Sequence, residues 1–204
     1  MKLYYAPGTC AVACWIALEW AGTDFEAIKA DFASPEFQRV NPLAQVPALD
    51  IGGPRAMTQA NAILTYIADT HPAAKLGAAS SDPQDQFEFN ETMAFLTGDF
   101  HPAFWPYFAP QRYTTERTPQ ALDIIRTASH ARIDRVMQHL DRLIGDSVHV
   151  HQGRRTVADA YAYIMTRWTA KLPKTWQDYP NVARFFAAME QDAQVQEVMR
   201  QSRG

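Results

Sequence analysis

Residues 1–22 read MKLYYAPGTCAVACWIALEWAG. Lys2 to Tyr5 is a short apolar run with the character of a strand, and Pro7-Gly8 is a turn signal. From Cys10 onward AVACWIALEW is apolar on most of its circumference, which is the pattern of a buried helix. Gly22 supplies the left-handed residue that commonly ends one. The predicted order is strand, tight loop, helix, with Thr9 and Cys10 at the helix start. Unpaired N–H groups and the positive end of the helix dipole gather there, which favours an anion. A thiol so placed is expected to have its thiolate stabilised and its pKa lowered. Two readings of Cys10 stand at this point: a thiol-handling site, or a small buried hydrophobe.

Working outward, Phe25 to Ala30 alternates apolar and polar residues and predicts a second strand. Ser34-Pro35-Glu36 starts a helix, with a capping hydroxyl followed by proline, and Asn41-Pro42 stops it early. In QVPALDI, residues 45–51, Pro47 cannot donate to a sheet ladder, so it marks the start or edge of a strand and is a candidate for a cis bond. Ile51-Gly52-Gly53-Pro54 predicts a hairpin turn, and Arg55 to Thr58 the returning strand. Ile63, Leu64 and Ile67 give helical spacing from Ala60 to His71, where Pro72 stops it. The order β-α-β-α-β-β-α is an α/β unit of domain size, set here at residues 1–75.

Residues 76–83 hold few large apolar residues, are rich in Ala, Ser, Gly and Pro, and read as a linker. Beyond it, residues 84–204 predict only helices. Asp82-Pro83 opens a long one that runs toward Phe104 despite Pro102. Thr118-Pro119 opens another, whose apolar face is Ile133, Val136, Met137, Leu140 and Ile144, ending at Gly145. Thr156 and Asp159 form a close variant of the capping box, and Pro180 starts a further helix. Arg154-Arg155 and the other scattered charges read as solvated surface. Thr156 and Asp159 read as structural.

The chain has 204 residues, 47% hydrophobic and 20% charged, with a formal net charge of −3. With no long basic run, nucleic acid is not an expected partner. No apolar stretch is long enough for a membrane span, and no secretory leader is expected. Cys10 and Cys14 make neither a disulfide framework nor a metal site, and they suit a reducing cytoplasm. Cys14 falls inside the apolar run and reads as core packing, with a resolving thiol as the alternative.

Four stretches together resemble the glutathione S-transferase family, in particular its bacterial beta class. These are KLYYAPGTCAVACWIAL at 2–18, NPLAQVPAL at 41–49, MTQANAILTYIAD at 57–69 and TVADAYAYIMTRW at 156–168. The resemblance covers essentially the whole chain. It implies an N-terminal thioredoxin-like α/β domain followed by an all-helical domain that supplies a hydrophobic substrate pocket. It also implies a cytoplasmic homodimer that conjugates reduced glutathione, as co-substrate and not cofactor, to a small hydrophobic electrophile.

Carried over position by position, the resemblance makes Cys10 and His101 the catalytic pair beside the glutathione sulfur. Thr9, Cys10, Gln45, Val46, Pro47, Gln59, Ala60 and Asn61 would bind glutathione, Val46 through its backbone in the manner of an added strand. Phe104, Trp105, Phe108, Tyr161 and Trp168 would border the second-substrate pocket. Three departures bear on affinity: the segment between Asp31 and Asn41 is short and lacks the lysine often found there, Pro102 follows His101 where a lysine is common, and Gln59-Ala60 stands where the class usually has an acidic residue followed by serine or glycine. A neutral acceptor for the γ-glutamyl ammonium is expected to weaken binding by about 1 kcal/mol. Two further expectations are a thiol–disulfide or peroxide reductase acting through Cys10, and a binding or scaffold protein that keeps the fold without turnover.

Overall fold

The computed structural model describes residues 1–203. Four strands form one sheet: β1 (Lys2–Tyr5), β2 (Glu26–Lys29), β3 (Ala48–Asp50) and β4 (Met57–Thr58), in the spatial order β2-β1-β3-β4. β1 pairs parallel with β2 and antiparallel with β3, and β3 pairs antiparallel with β4. The returning strand is shorter than its sequence suggests, because Arg55 is exposed in the turn and pairs with nothing across the sheet.

Helix α1 (Ala11–Ala21) ends as expected at Gly22, whose φ of 66° lets its N–H reach back to Glu19 O and Leu18 O. α2 (Pro35–Val40) is short and capped by the Ser34 hydroxyl, which accepts from Phe37 N. α3 (Ala60–Thr70) closes the α/β part. The absence of a polar face on α1 now has a cause. It packs against α3 and also against α8 (Val157–Arg167) and α10 (Ala193–Gln201). Ala11 through Leu18 are buried. One continuous core results, shared by the sheet and the helices.

The helical part begins with α4 (Pro83–Ala94), capped by Asp82. The single long helix expected from Asp82 to Phe104 is interrupted. Phe95–Phe100 widens into a π-helical stretch, followed by the short α5 (His101–Ala103) and α6 (Trp105–Phe108). Pro102 has no N–H to continue the helical ladder, and a widened turn is one way a helix accommodates that loss. The join falls at His101. α7 (Pro119–Ile144) follows, then α8, α9 (Pro180–Gln191) and α10. α10 is absent from the expected elements. Its start is set by Asp192, which accepts from Gln194 N and Val195 N.

The segment expected to be a plain linker is docked. Leu76 is fully buried, and its carbonyl accepts from Val157 N at 2.9 Å at the head of α8. Arg154 donates to Lys75 O at 2.9 Å and to Gly77 O. Arg155 lies over the Trp20 ring and pairs with Asp192 at 3.1 Å. The two arginines are therefore tethers between the two parts of the chain, which corrects their reading as solvated charges.

Candidate active site

The sheet register brings the N-terminal half of the site together. Ala48 pairs with both Tyr4 and Thr58. Val46-Pro47, just before β3, therefore lies beside Gln59-Ala60, just after β4, and beside the loop that leaves β1 toward Cys10. The Val46–Pro47 bond is cis. Asn41 holds this loop, its buried side-chain amide donating to Gln45 O at 2.7 Å, while the Gln45 side chain is exposed. Gln59 is an exposed residue with φ of 73° at the start of α3, and Ala60 is buried. The Oδ1 of Asn61 is buried and has no hydrogen-bond partner among the described residues.

Thr9 does not aim its hydroxyl at open space. Oγ1 donates to Ala6 O at 2.8 Å and accepts from Ala11 N at 3.4 Å, so it closes the loop and covers the first N–H of α1. Cys10 follows, already helical in its backbone, and its Sγ lies 3.9 Å from the Val46 carbonyl. Here the structure corrects the sequence expectation. Burial pushes the Cys10 thiol up to about 12, against the weaker opposing effects of its own backbone N–H and the Tyr161 phenol. A helix start favours a thiolate only where solvent or a strong donor shares its charge, and desolvation outweighs it here. At pH 7 roughly one Cys10 in 100,000 is ionised, a cost of about 7 kcal/mol.

The C-terminal half closes over the thiol from α8 and the α5–α6 turn. Tyr161 hydroxyl and His101 Nδ1 are 2.7 Å apart. Trp168 Nε1 donates to Gly8 O at 2.7 Å, tying the end of α8 to the loop before Cys10. The Trp168 ring sits 4.9 Å from His101, 5.4 Å from Phe104 and 5.3 Å from Phe108. Trp105 is 5.9 Å from His101. All five residues expected to border an aromatic pocket therefore lie in one cluster, but at different depths. Phe104 and Tyr161 are buried beneath it, whereas Trp105 (49%) and Phe108 (52%) are the exposed faces. Phe104 and Tyr161 thus support a wall and do not form its surface, a depth that helical spacing does not encode.

His101 is half-buried among these rings, and that desolvation lowers its pKa to about 4. It is neutral at pH 7, so it offers a hydrogen-bond donor and acceptor and no positive charge. Two surface cavities, about 240 and 510 Å³, lie along α7 and include none of these residues.

The chain is related over its full length to known proteins. It is 35% identical over 209 residues to a glutathione S-transferase of Xanthomonas campestris pv. campestris, covering 98% of each. This chain belongs to the glutathione S-transferase family. The family's N-terminal domain matches residues 1–69. Among solved structures, a sphingomonad glutathione S-transferase complexed with glutathione superposes with a TM-score of 0.87 at 32% identity, covering 99% of this chain and 98% of that one. A bacterial beta class glutathione S-transferase of Sphingomonas chungbukensis gives 0.86 at 30% identity, covering 99% and 98%. The glutathione S-transferase fold read from the four motifs is thus present, a thioredoxin-like sheet followed by helices. Two contacts carry no sequence signal: the Gly8 carbonyl that accepts from Trp168, a backbone acceptor that no motif marks, and the bond between Tyr161 and His101, two residues that the motifs name separately.

Proposed function

We propose that this protein is a glutathione transferase that conjugates reduced glutathione to small hydrophobic electrophiles at the cleft between the Val46–Pro47 loop and the His101–Trp168 aromatic wall. The observation that carries this reading is that the Cys10 thiol, the Val46 carbonyl and the Tyr161–His101 pair converge where two separate parts of the chain meet. Glutathione would add its cysteinyl backbone to the edge at Val46, displacing the Cys10 S–H from that carbonyl. Its γ-glutamyl end would meet the N-terminus of α3 at Gln59, Ala60 and Asn61, where backbone N–H groups favour a carboxylate. Trp105 and Phe108 would hold the electrophile close to the sulfur, turning a bimolecular attack into a positioned one.

Within this reading residues 1–75 form the glutathione-binding unit and residues 84–204 the helical unit, working as a homodimer in the cytoplasm. Among the described residues no helix is long and apolar enough to cross a membrane. The reductase alternative is disfavoured by the burial of Cys10, since a thiol with a pKa of about 12 is a slow nucleophile toward disulfides and peroxides. The scaffold alternative loses its main support if glutathione binds despite Gln59-Ala60.

Calorimetric titration with reduced glutathione tests the proposal. Saturable binding in the micromolar to low-millimolar range is expected, followed by turnover with an aromatic halide. No heat at high millimolar peptide, with no protection in a thermal-shift assay, overturns it. A second expectation concerns Gln59. Gln59→Glu restores a charged acceptor for the γ-glutamyl ammonium and should tighten binding by about 1 kcal/mol, or roughly fivefold. Equal or weaker binding by this variant in the same titration would mean that Gln59 does not face the ammonium.

A further inference from the structure

Two separate parts of the chain make the cleft, and Trp168 touches both. It follows α8 directly and is half-buried. Its indole N–H donates to Gly8 O at 2.7 Å, a partner 160 residues away in the chain. The same ring lies against the aromatic wall, 4.9 Å from His101, 5.4 Å from Phe104 and 5.3 Å from Phe108, perpendicular to the last. The loop it holds is otherwise lightly fixed. Pro7 and Gly8 are exposed, and a Cβ added at Gly8 would meet no atom within 4 Å, so no packing grips the turn there. The turn's own bonds are local: Thr9 donates to Ala6 O from its N–H at 3.3 Å and from its hydroxyl at 2.8 Å. Such bonds fix the shape of the turn and leave its place against the helical part to Trp168.

We propose that Trp168 is a positioning residue that couples the two halves of the site. A flat apolar molecule on the exposed faces of Trp105 and Phe108 fixes the Trp168 ring, and the ring fixes the loop that delivers Thr9 and Cys10 to the cleft. The inference rests on the transferase reading for the identity of the two ligands. An indole hydrogen bond is directional and weakens steeply as the N–H turns from its acceptor. Two states follow, one with the Gly8 carbonyl held and one with the ring turned and the carbonyl hydrated, which the exposure of Gly8 permits. A molecule packed on Phe108 leaves the Trp168 ring less room to turn and favours the held state. Glutathione, bound to the held loop, then raises the affinity of the wall by the same factor, because coupling is reciprocal. The bond itself bounds the size: a neutral hydrogen bond, net of water, is worth about 2- to 10-fold in an equilibrium constant.

The test places benzothienylalanine at position 168, which keeps the bicyclic ring and puts sulfur where the N–H was. Reduced glutathione is titrated calorimetrically with and without meta-dinitrobenzene, a flat aromatic with no leaving group. In the wild type the dinitrobenzene should tighten glutathione binding about 2- to 10-fold. In the variant that tightening should vanish, while the dinitrobenzene itself still binds within about twofold of wild type, since the ring contacts remain. A merely structural role for the ring would leave the coupling in place. Coupling of equal size in both proteins, or none in the wild type, overturns the proposal.

Hydrogen exchange at the amides of Thr9 to Val12 supplies a readout that needs no glutathione. Exchange should be about 2- to 10-fold faster in the free variant than in the free wild type, and meta-dinitrobenzene should slow it only in the wild type. Equal exchange in the two free proteins overturns the proposal. Should the benzothienyl variant fail to fold, Trp168→Phe removes the same donor and is read in the same way. Failure of glutathione to bind the wild type would remove the transferase reading, and the exchange comparison would still decide whether Trp168 holds the loop.

Discussion

Asp159→Ala should destabilise the whole chain by about 3–5 kcal/mol, not merely fray one helix. The side chain is completely buried. Its Oδ2 accepts from Thr156 N at 2.7 Å, the carboxylate half of the capping box, and its Oδ1 accepts from Val150 N at 2.7 Å. Removing it strands two buried N–H groups, each costing about 1–3 kcal/mol when left unpaired, and leaves a polar cavity. The loss spreads because α8 is the helix on which α1 rests, and because the same turn anchors Leu76 through Val157 N. For a chain of this size about 2–4 °C of melting temperature accompanies each kcal/mol, so a fall of about 10 °C is expected in a thermal melt. Asp159→Asn should recover only part of it, since an amide has one acceptor oxygen for two donors. A melting point within 2 °C or so of wild type for the alanine variant would show that water or another group takes over both N–H bonds.

Much of the α/β part was legible because its signals are local. Pro47 before an apolar run, Gly22 after one, and Ser34-Pro35 are each a backbone requirement met by a particular residue, and all three sit where they were expected. What was not legible depends on what lies across from a residue. Arg154 and Arg155 look like surface charges in the chain and are tethers in the fold, because their partners are backbone carbonyls and an aspartate far away in sequence. The site divides in the same way. Motif positions placed Cys10, Val46, His101 and the aromatic cluster in one region. Depth was invisible, so the electrostatic expectation for Cys10 had the wrong sign. A helix start is a short-range property that sequence reveals, whereas desolvation is set by α8, 150 residues downstream.

The Cys10 environment yields the largest expected effect, on reactivity. With its thiol moved from an ordinary 9.0 to about 12, the thiolate fraction at pH 7 is about a thousandfold below that of an unhindered cysteine. Alkylation of the native protein should be slower than that of a free thiol by about that factor. It should rise tenfold per pH unit from 7 to 9 with no plateau, and a plateau near pH 8 would return Cys10 to the activated-thiolate reading. The same shift bears on stability. Between pH 9 and 12 the folded chain keeps the Cys10 proton while the unfolded chain loses it, so folding is worth less as pH rises, by about 4 kcal/mol at the top of that window. His101 acts at the other end. Its folded pKa of about 4 lies below the ordinary 6.5, so the unfolded chain takes up a proton first as pH falls. The stability it contributes is present above 6.5 and lost toward 4, about 3 kcal/mol in all. Burial lowers the His151 pKa as well and adds to the acid limb in the same direction. Denaturant midpoints should therefore form a plateau between about pH 6.5 and 9. Cys10→Ala should flatten part of the alkaline fall and leave the acid side in place. An alkaline limb of unchanged depth in that variant would assign it to the other buried groups that burial also pushes up, the Cys14 thiol and the Tyr161 and Tyr163 phenols, and not to the Cys10 thiol.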